Sequence, residues 1–499
     1  MPETIFELLS AGDGPASAIA APGRDPVSYE ALRAEVERLG GQLRALGIER
    51  NDRVAIVLPN GPEMAVLFLA VASCATAAPL NPDYREQEFR FFLDDLDAKL
   101  LITRPGEGAE AHAAAPAETR RAALEGVAGA LNLTLDGEPV EVAEARYAAP
   151  DDIALVLHTS GTTSRPKMVP LSQRNVTTSA GNIMRSLKLT PADCCLNVMP
   201  LFHIHGLMAA VLGSLAAGAT VACTPGFEAF RFFEWLGEIR PTWYTAVPTM
   251  HQLILQRAGR HAEVIAENPL RFLRSSSASL PPSVMAELEA TFGAPMIEAY
   301  GMTEASHQMA CNPLPPGERK PGSVGRGTGV ELAIMDEDGA IQPAGATGEV
   351  VIRGGSVTAG YEHNAEANAG AFTDGWFRTG DQGYLDPDGY LFLTGRLKEI
   401  INRGGEKVSP REVDEVLLQH PAVEQAVTFA VPHDRLGEEV AAAIVLVAGA
   451  EVTERELRDY AGEQLAPFKV PRRWVFVDEV PKGPTGKLQR IGLHKLLGL

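Results

Sequence analysis

The chain has 499 residues, too many for one hydrophobic core, so two or more domains are expected. A hydrophobic content of 45% and a charged content of 22% are those of an ordinary globular protein. The net charge of −20 argues against nucleic acid or an anionic membrane as main partner.

The N-terminal stretch from Met1 to Gly14 lacks the basic region of a signal peptide. Ser28 is an expected N-cap for a helix running to Leu46, with Glu30 placing negative charge in its first turn. Val54 to Leu58 reads as a buried strand, followed by the turn Pro59-Asn60-Gly61 and a helix from Pro62. The apolar run from Met64 to Leu80 is interrupted by Ser73, Cys74, Thr76 and Pro79, which predicts a buried helix rather than a membrane span. The five cysteines, Cys74, Cys194, Cys195, Cys223 and Cys311, are odd in number and show no C-x-x-C spacing, which points to free thiols in a reducing compartment. Glu86 to Leu96 is an expected helix, Lys99 to Thr103 a strand, and Gly106 to Glu118 a surface connection. Such alternation predicts a largely parallel sheet with helices on both faces, and a second alternating region runs from Ile153 to about Arg326.

From Val330 to Tyr390 the texture changes. Short β-like runs at Glu331–Met335, Gly348–Arg353 and 390–393 are separated by Asp-Gly turns, which predicts antiparallel strands or a small barrel. Beyond Gly395, helical segments (410–419, 453–465) mix with strands (426–430, 441–447, 473–477), as in a compact α+β domain. From Arg396 onward there are 15 Lys/Arg and 16 Asp/Glu, so nearly all the net negative charge belongs to the larger part.

Several stretches carry the chemistry. His158-Thr159-Ser160-Gly161-Thr162-Thr163-Ser164-Arg165-Pro166-Lys167 follows the strand Ile153–Leu157. Its small residues let a backbone approach an anion, its hydroxyls and N–H groups can surround one, and Lys167 adds positive charge, which suits a nucleotide polyphosphate. It is not a Walker P-loop. The pair His203 and His205 has i, i+2 spacing without a third metal ligand close by. Leu273-Arg-Ser-Ser-Ser277-Ala278-Ser279 reads as a Ser-rich turn before a Pro-capped helix. In Glu298-Ala299-Tyr300-Gly301-Met302-Thr303-Glu304, placed at a strand end, a Tyr can stack on adenine, a Thr can bond the α-phosphate and a Glu can hold Mg²⁺. The polar side chains His307 and Gln308 directly after it, with His203, His205, His251 and the serines at 275–279, suit a small, doubly anionic acid. Finally, Asp381 reads as a loop acceptor for ribose hydroxyls and Arg396 as a phosphate fork.

Taken together and in this order, these motifs resemble the signatures of the adenylate-forming superfamily (acyl-CoA synthetases, peptide-synthetase adenylation domains, luciferase). The chain departs from the usual loop at Ser164 and Met168, and the Ser-Arg-Pro-Lys form resembles the oxalate–CoA ligase branch. The resemblance implies an α/β fold: a large N-terminal domain, 1–395, of two packed α/β sheets plus a small β-barrel, a hinge at 396–398, and a small mobile α+β domain, 399–499, carrying the catalytic lysine. It implies that Thr159, Ser160, Gly161, Thr162, Thr163 and Lys167 bind phosphates, that Ser277, Ala278, Ser279, Glu298, Ala299, Tyr300, Gly301 and Met302 line the nucleotide, that Glu304 holds Mg²⁺ and that Thr303 meets the α-phosphate. His203 falls between nucleotide and acid. Asp381 matches the ribose aspartate, Arg396 the phosphate arginine, Lys398 the hinge and Gly405 the pantetheine tunnel. Lys487, in Pro481-Lys-Gly-Pro-Thr-Gly-Lys487, matches the lysine that stabilises charge during adenylation.

The expected activity is ATP-dependent ligation of an acid to coenzyme A through an acyl-adenylate, oxalate being the favoured acid and His203, His205, His307 and Ser277 its expected contacts. Other short dicarboxylates, a medium-chain or aromatic acid, and, in a different class, a non-catalytic nucleotide-binding or carrier-protein adenylation module are the alternatives. Expected partners are a small carboxylic acid, ATP and CoA, with no nucleic acid and no membrane, in a monomeric or homodimeric cytoplasmic protein. The ending Lys495-Leu-Leu-Gly-Leu499 is not a peroxisomal signal.

Overall fold

A computed structural model describes residues 2–159, 166–481 and 490–499. The expected phosphate-loop residues Ser160, Gly161, Thr162 and Thr163 and the expected catalytic Lys487 lie outside the described residues. Two compact units emerge: one from Met1–Thr159, Lys167–Leu332 and Ile352–Phe377, the other from Ala333–Val351 and Arg378–Leu499.

The first unit is built on two large sheets. One has nine strands, with Met296–Met302, Phe272–Ser275, Trp243–Ala246, Cys194–Asn197, Thr220–Cys223 and Ser17–Ala20 running parallel in that order. Antiparallel strands, among them His307–Cys311, close its edges. The other has eight strands, with Ile153–Thr159, Thr76–Pro79, Arg53–Ile56, Leu100–Thr103 and Arg120–Glu125 parallel at its centre. The parallel strands are near-continuous apolar runs, as burial on both faces requires.

The helix Pro62–Cys74 touches a strand of each sheet, and every residue of it is buried. A helix apolar all round has no solvent face to offer, so it lies inside the unit. The preceding Asn60 fastens the sheets together: its Oδ1 accepts from Leu201 N at 2.7 Å and its Nδ2 donates to Thr224 O at 3.1 Å.

The helix expected from Ser28 is Tyr29–Ala45, and Ser28 Oγ accepts from Ala31 N at 3.2 Å. The apolar run from Met64 is helical only to Cys74 and then becomes the strand Thr76–Pro79, where β-branched Thr76 and Pro79 end the helical pattern. The stretch read as a surface connection, 106–118, holds a short helix, Ala109–Ala114, with Ala111 and Ala114 buried. All five cysteines are free, and four are buried. Among the described residues no helix is long and apolar enough to cross a membrane.

The second unit carries a five-stranded sheet in which Gly437–Leu446 pairs with Val423–His433, Ile401–Arg403 and Arg473–Phe476. The helices Pro410–Leu417 and Glu454–Gln464 pack on it through Val413, Leu417, Leu457 and Ala461, against Ile444 and Trp474. Mostly buried Arg490 ties this unit internally: its Nη2 lies 2.7 Å from Asp414 Oδ2, its Nε 3.3 Å from Glu399 Oε2, and its Nη1 donates to Thr428 O at 2.9 Å.

Candidate active site

The carboxyl ends of four neighbouring parallel strands, Cys194–Asn197, Trp243–Ala246, Phe272–Ser275 and Met296–Met302, lie side by side in the nine-stranded sheet. Ligands of open α/β sheets gather at such ends. The loops leaving them carry His203, Ser277 and Glu304, so one sheet edge collects most of the residues expected at the site in this unit.

Strand register decides which side chains meet there. Thr245 pairs with Arg274, and Ser275 with Glu298. Arg274, on a central strand, is fully buried. Its Nη1 donates to His205 Nε2 and to Thr245 Oγ1, both at 3.2 Å. Its Nη2 donates to His307 Nε2 at 3.2 Å and Gln308 Oε1 at 3.0 Å. Its Nε has no partner among the described residues. Among the described residues no carboxylate pairs with this guanidinium. Burial lowers its pKa to about 10, so it stays cationic at neutral pH.

The two imidazoles stack, ring centroids 4.9 Å apart and planes 23° from parallel. Burial, with His307 and Arg274 adding to it, drives the pKa of His205 well below its usual value. Burial and Arg274 do the same to His307. Both rings are neutral. His205 Nδ1 meets Ser277 Oγ at 3.0 Å, and Ser277 is exposed with φ +73°, so the cluster opens outward at that hydroxyl. Ser306 and His307 also have positive φ, +51° and +89°, a concentration of backbone strain of the kind that gathers at functional sites.

Two glycines permit this geometry. A Cβ on Gly301 would lie 1.9 Å from His307 O, and one on Gly206 would lie 2.4 Å from Pro200 O. Gly206 follows His205 in the π-helix His205–Leu212, a rare element often found at functional sites.

The structure thus brings together His205, His307 and Ser277. His203 is half-buried before the π-helix, its ring 4.8 Å from Phe202, and the pair His203/His205 lies at the start of that helix. His251, counted among the pocket donors, is instead fully buried with Nδ1 on Tyr244 OH at 3.0 Å. Gln308 is satisfied inside the fold, its Nε2 donating to Ser186 Oγ at 2.8 Å and Thr328 Oγ1 at 3.2 Å. Arg274 had no role in the sequence reading. The signal for it is a charged residue at the strand position directly after the apolar pair Phe272-Leu273.

On the nucleotide side, Thr159 and Lys167 face each other across an antiparallel pair, Thr159 Oγ1 donating to Lys167 O at 3.4 Å. Lys167 Nζ sits 4.3 Å from the ring centroid of Tyr361. The Tyr361 hydroxyl donates to Glu304 Oε1 at 2.8 Å. Glu304 is buried in the single turn Thr303–Ala305. A buried, hydrogen-bonded carboxylate is a hard oxygen ligand and fits Mg²⁺. Tyr300 closes the buried part of its strand, and Glu298 and Ala299 are buried, while Ala278 is exposed and Ser279 half-buried in the loop before the helix Pro282–Phe292.

In the second unit Asp381 is not in a loop but within the strand Trp376–Leu385, opposite Arg396. Arg396 Nε lies 2.8 Å from Asp381 Oδ1. Thr379 and Gly380 belong to the same strand, Thr379 Oγ1 donating to Val350 O at 2.7 Å. Lys398 is exposed in the single turn Leu397–Glu399. Gly405, with φ +98°, is exposed at the tip of a two-residue hairpin with Gly404.

Comparison with known proteins agrees with this arrangement. The sequence model of the AMP-binding enzyme family matches residues 11–362, and that of the AMP-binding enzyme C-terminal domain matches residues 412–487. The chain is 48% identical to an oxalate–CoA ligase of Arabidopsis thaliana, over 95% of this chain and 94% of that one. It is 42% identical to an oxalate–CoA ligase of Saccharomyces cerevisiae, over 88% and 86%. The fold superposes on ATP-bound MatB from Rhodopseudomonas palustris with a TM-score of 0.90 at 30% identity, over 99% of each chain. The chain therefore belongs to the AMP-binding enzyme family, and is an ATP-dependent acid–CoA ligase that works through an adenylate.

Proposed function

We propose that the acid is oxalate and the product oxalyl-CoA, with release of AMP and pyrophosphate. The observation that carries this reading is the fully buried Arg274 guanidinium, with no carboxylate partner among the described residues, bracketed by two neutral histidines whose cluster opens at Ser277. A buried cation without an anion is costly, and a small diacid supplies the missing charge without any apolar tail to house. The names of the two relatives above support the same acid.

In the first half-reaction a carboxylate oxygen attacks the α-phosphorus of ATP and pyrophosphate leaves. The protein's part is positioning and electrostatic stabilisation. Ser160, Gly161, Thr162, Thr163 and Lys167 are assigned to the phosphates, Thr303 to the α-phosphate, Tyr300 with Ser277–Ser279 to the adenine, and Asp381 and Arg396 to the ribose and phosphate. Glu304 would hold Mg²⁺, which when bound neutralises phosphate charge. Lys487 is assigned to the charge that develops between carboxylate and α-phosphate. In the second half-reaction CoA thiolate attacks the adenylate carbonyl and AMP leaves, the C-terminal domain having turned about Lys398 to exchange Lys487 for the loop of Gly405.

The test is CoA-dependent AMP release from ATP with oxalate, malonate, acetate, octanoate and coumarate. Oxalate is expected to give the highest kcat/KM. Preference for octanoate or coumarate would overturn the substrate assignment and leave the fold and family untouched.

A further inference from the structure

Arginine has hydrogen-bond donors only, with no acceptor and no proton to lose in a protein. Any imidazole nitrogen that meets its N–H must therefore be unprotonated. Arg274 meets Nε2 of His205 and Nε2 of His307, both at 3.2 Å, with different arms of one guanidinium. Thr245 Oγ1, itself an acceptor from Arg274 Nη1, lies 2.7 Å from the same Nε2 of His205, and its hydroxyl is free to donate there. Neutral imidazole carries one proton, so on both rings it is left on Nδ1. For His205 this agrees with the contact outward: Nδ1–H donates to Ser277 Oγ at 3.0 Å.

We infer that Arg274 is a positioning residue that fixes His205 and His307 in the Nδ1–H tautomer, so that a stacked pair of neutral rings, His205 acting through the Ser277 hydroxyl it orients, recognises the second carboxylate of the substrate. This rests on the small-diacid reading of the site. The charge stays beneath the rings and polarises their N–H bonds, rather than touching the acid itself. A donor held this way is selective in a manner a free lysine is not. It cannot be replaced by a neighbouring carboxylate, and it offers a fixed direction to a planar anion. A monoacid of similar size leaves the Ser277 hydroxyl and the His307 N–H without the acceptor a second carboxylate brings, and a site built to hydrogen-bond a group rejects an analogue lacking it far more strongly than one lacking a methylene. The unpartnered Nε of Arg274 and the strained backbone at Ser306 and His307 are consistent with a constellation shaped for a ligand rather than for packing.

The first experiment leaves Arg274 in place. In protein labelled with ¹⁵N-histidine, with His205→Asn and His307→Asn used for assignment, both rings are expected to show protonated Nδ1 and unprotonated Nε2. An Nε2–H tautomer at both positions would overturn the inference, whatever the enzyme's substrate. The second uses Arg274→Met, which keeps the bulk without the charge, and Arg274→Lys. In both, the preference of kcat/KM for oxalate over acetate is expected to fall on the order of 10²-fold, carried by the KM for oxalate, while the KM for ATP moves less than about threefold. An unchanged oxalate/acetate ratio in a folded Arg274→Met protein would also overturn it. If the unaltered enzyme itself does not use oxalate, it is the substrate assignment that fails, and the tautomer measurement still decides the role of Arg274.

Discussion

Tyr361 donates its hydroxyl to Oε1 of Glu304 at 2.8 Å while its ring carries the ammonium of Lys167 4.3 Å from the centroid. One side chain thus serves the expected metal ligand and the expected phosphate lysine. Tyr361→Phe removes only the hydrogen bond, and Tyr361→Leu removes the π face as well. A hydrogen bond to a charged group contributes about 1.5–3 kcal/mol and a cation–π contact about 0.5–2 kcal/mol. Tyr361→Phe is expected to raise the Mg²⁺ concentration needed for half-maximal ATP binding, measured calorimetrically, by about tenfold. Tyr361→Leu is expected to weaken ATP binding further at saturating Mg²⁺.

Gly301 is expected to tolerate no side chain. The strands Met296–Met302 and His307–Cys311 approach so closely that a Cβ there would sit 1.9 Å from a backbone oxygen. Gly301→Ala must push the two strands apart, at a cost of about 1–3 kcal/mol or more. A lowered urea midpoint together with loss of ATP–pyrophosphate exchange is the expected outcome, because the displaced backbone is that of His307 itself.

His251 predicts a stability slope with pH. Burial lowers its pKa from the usual 6.5 to about 3 in the folded protein. The unfolded chain therefore binds a proton at this residue that the fold refuses, between pH 6.5 and about 3. Stability is fully present above pH 6.5 and is lost as pH falls through that window, by up to about 1.4 kcal/mol per unit for one such group. His205 and His307 are shifted in the same direction and add to it. Urea midpoints at pH 7.5 and 5.0 are expected to differ less in His251→Gln than in the unaltered protein.

The second unit should depend on the pair Asp414 and Arg490. Removing one partner of a buried ion pair costs about 3–5 kcal/mol because the other charge is left without compensation. Asp414→Ala also takes the acceptor from Thr428 N, 2.6 Å away. Faster amide exchange along the strand Val423–His433 is the expected result, with the strands of the first unit unchanged. The double variant Asp414→Leu/Arg490→Met is expected to be milder than either single one.

Much of this architecture was legible from local pattern. Ser28 and the strand Ile153–Thr159 fell where capping chemistry and apolar runs placed them. The misses share a cause, since each depends on which strand lies next to which. Asp381 reads as a loop residue in a stretch, Trp376 to Asp381, that shows no apolar alternation to mark a strand. Only the pairing with Leu391–Arg396 makes it a strand residue facing Arg396. Arg274 looked like one more polar residue ahead of a serine run. Its burial exists only once Trp243–Ala246 and Met296–Met302 flank it, and the acceptors that hold it come from 69 residues before and 34 residues after in the chain. The helix at Ala109–Ala114 was too short for its period to stand out among alanines.

The helix Pro62–Cys74, enclosed between two sheets, has a consequence for biosynthesis. The strand Thr220–Cys223 that covers one of its sides is encoded 146 residues downstream of Cys74. At about 5–20 residues per second, a ribosome needs roughly 7 to 30 s to reach it. For that interval the nascent chain presents a greasy cylinder with nowhere to bury it, so yield in the cell should respond to holdase chaperones and to translation speed across codons 75–223 more than to the final stability of the enzyme.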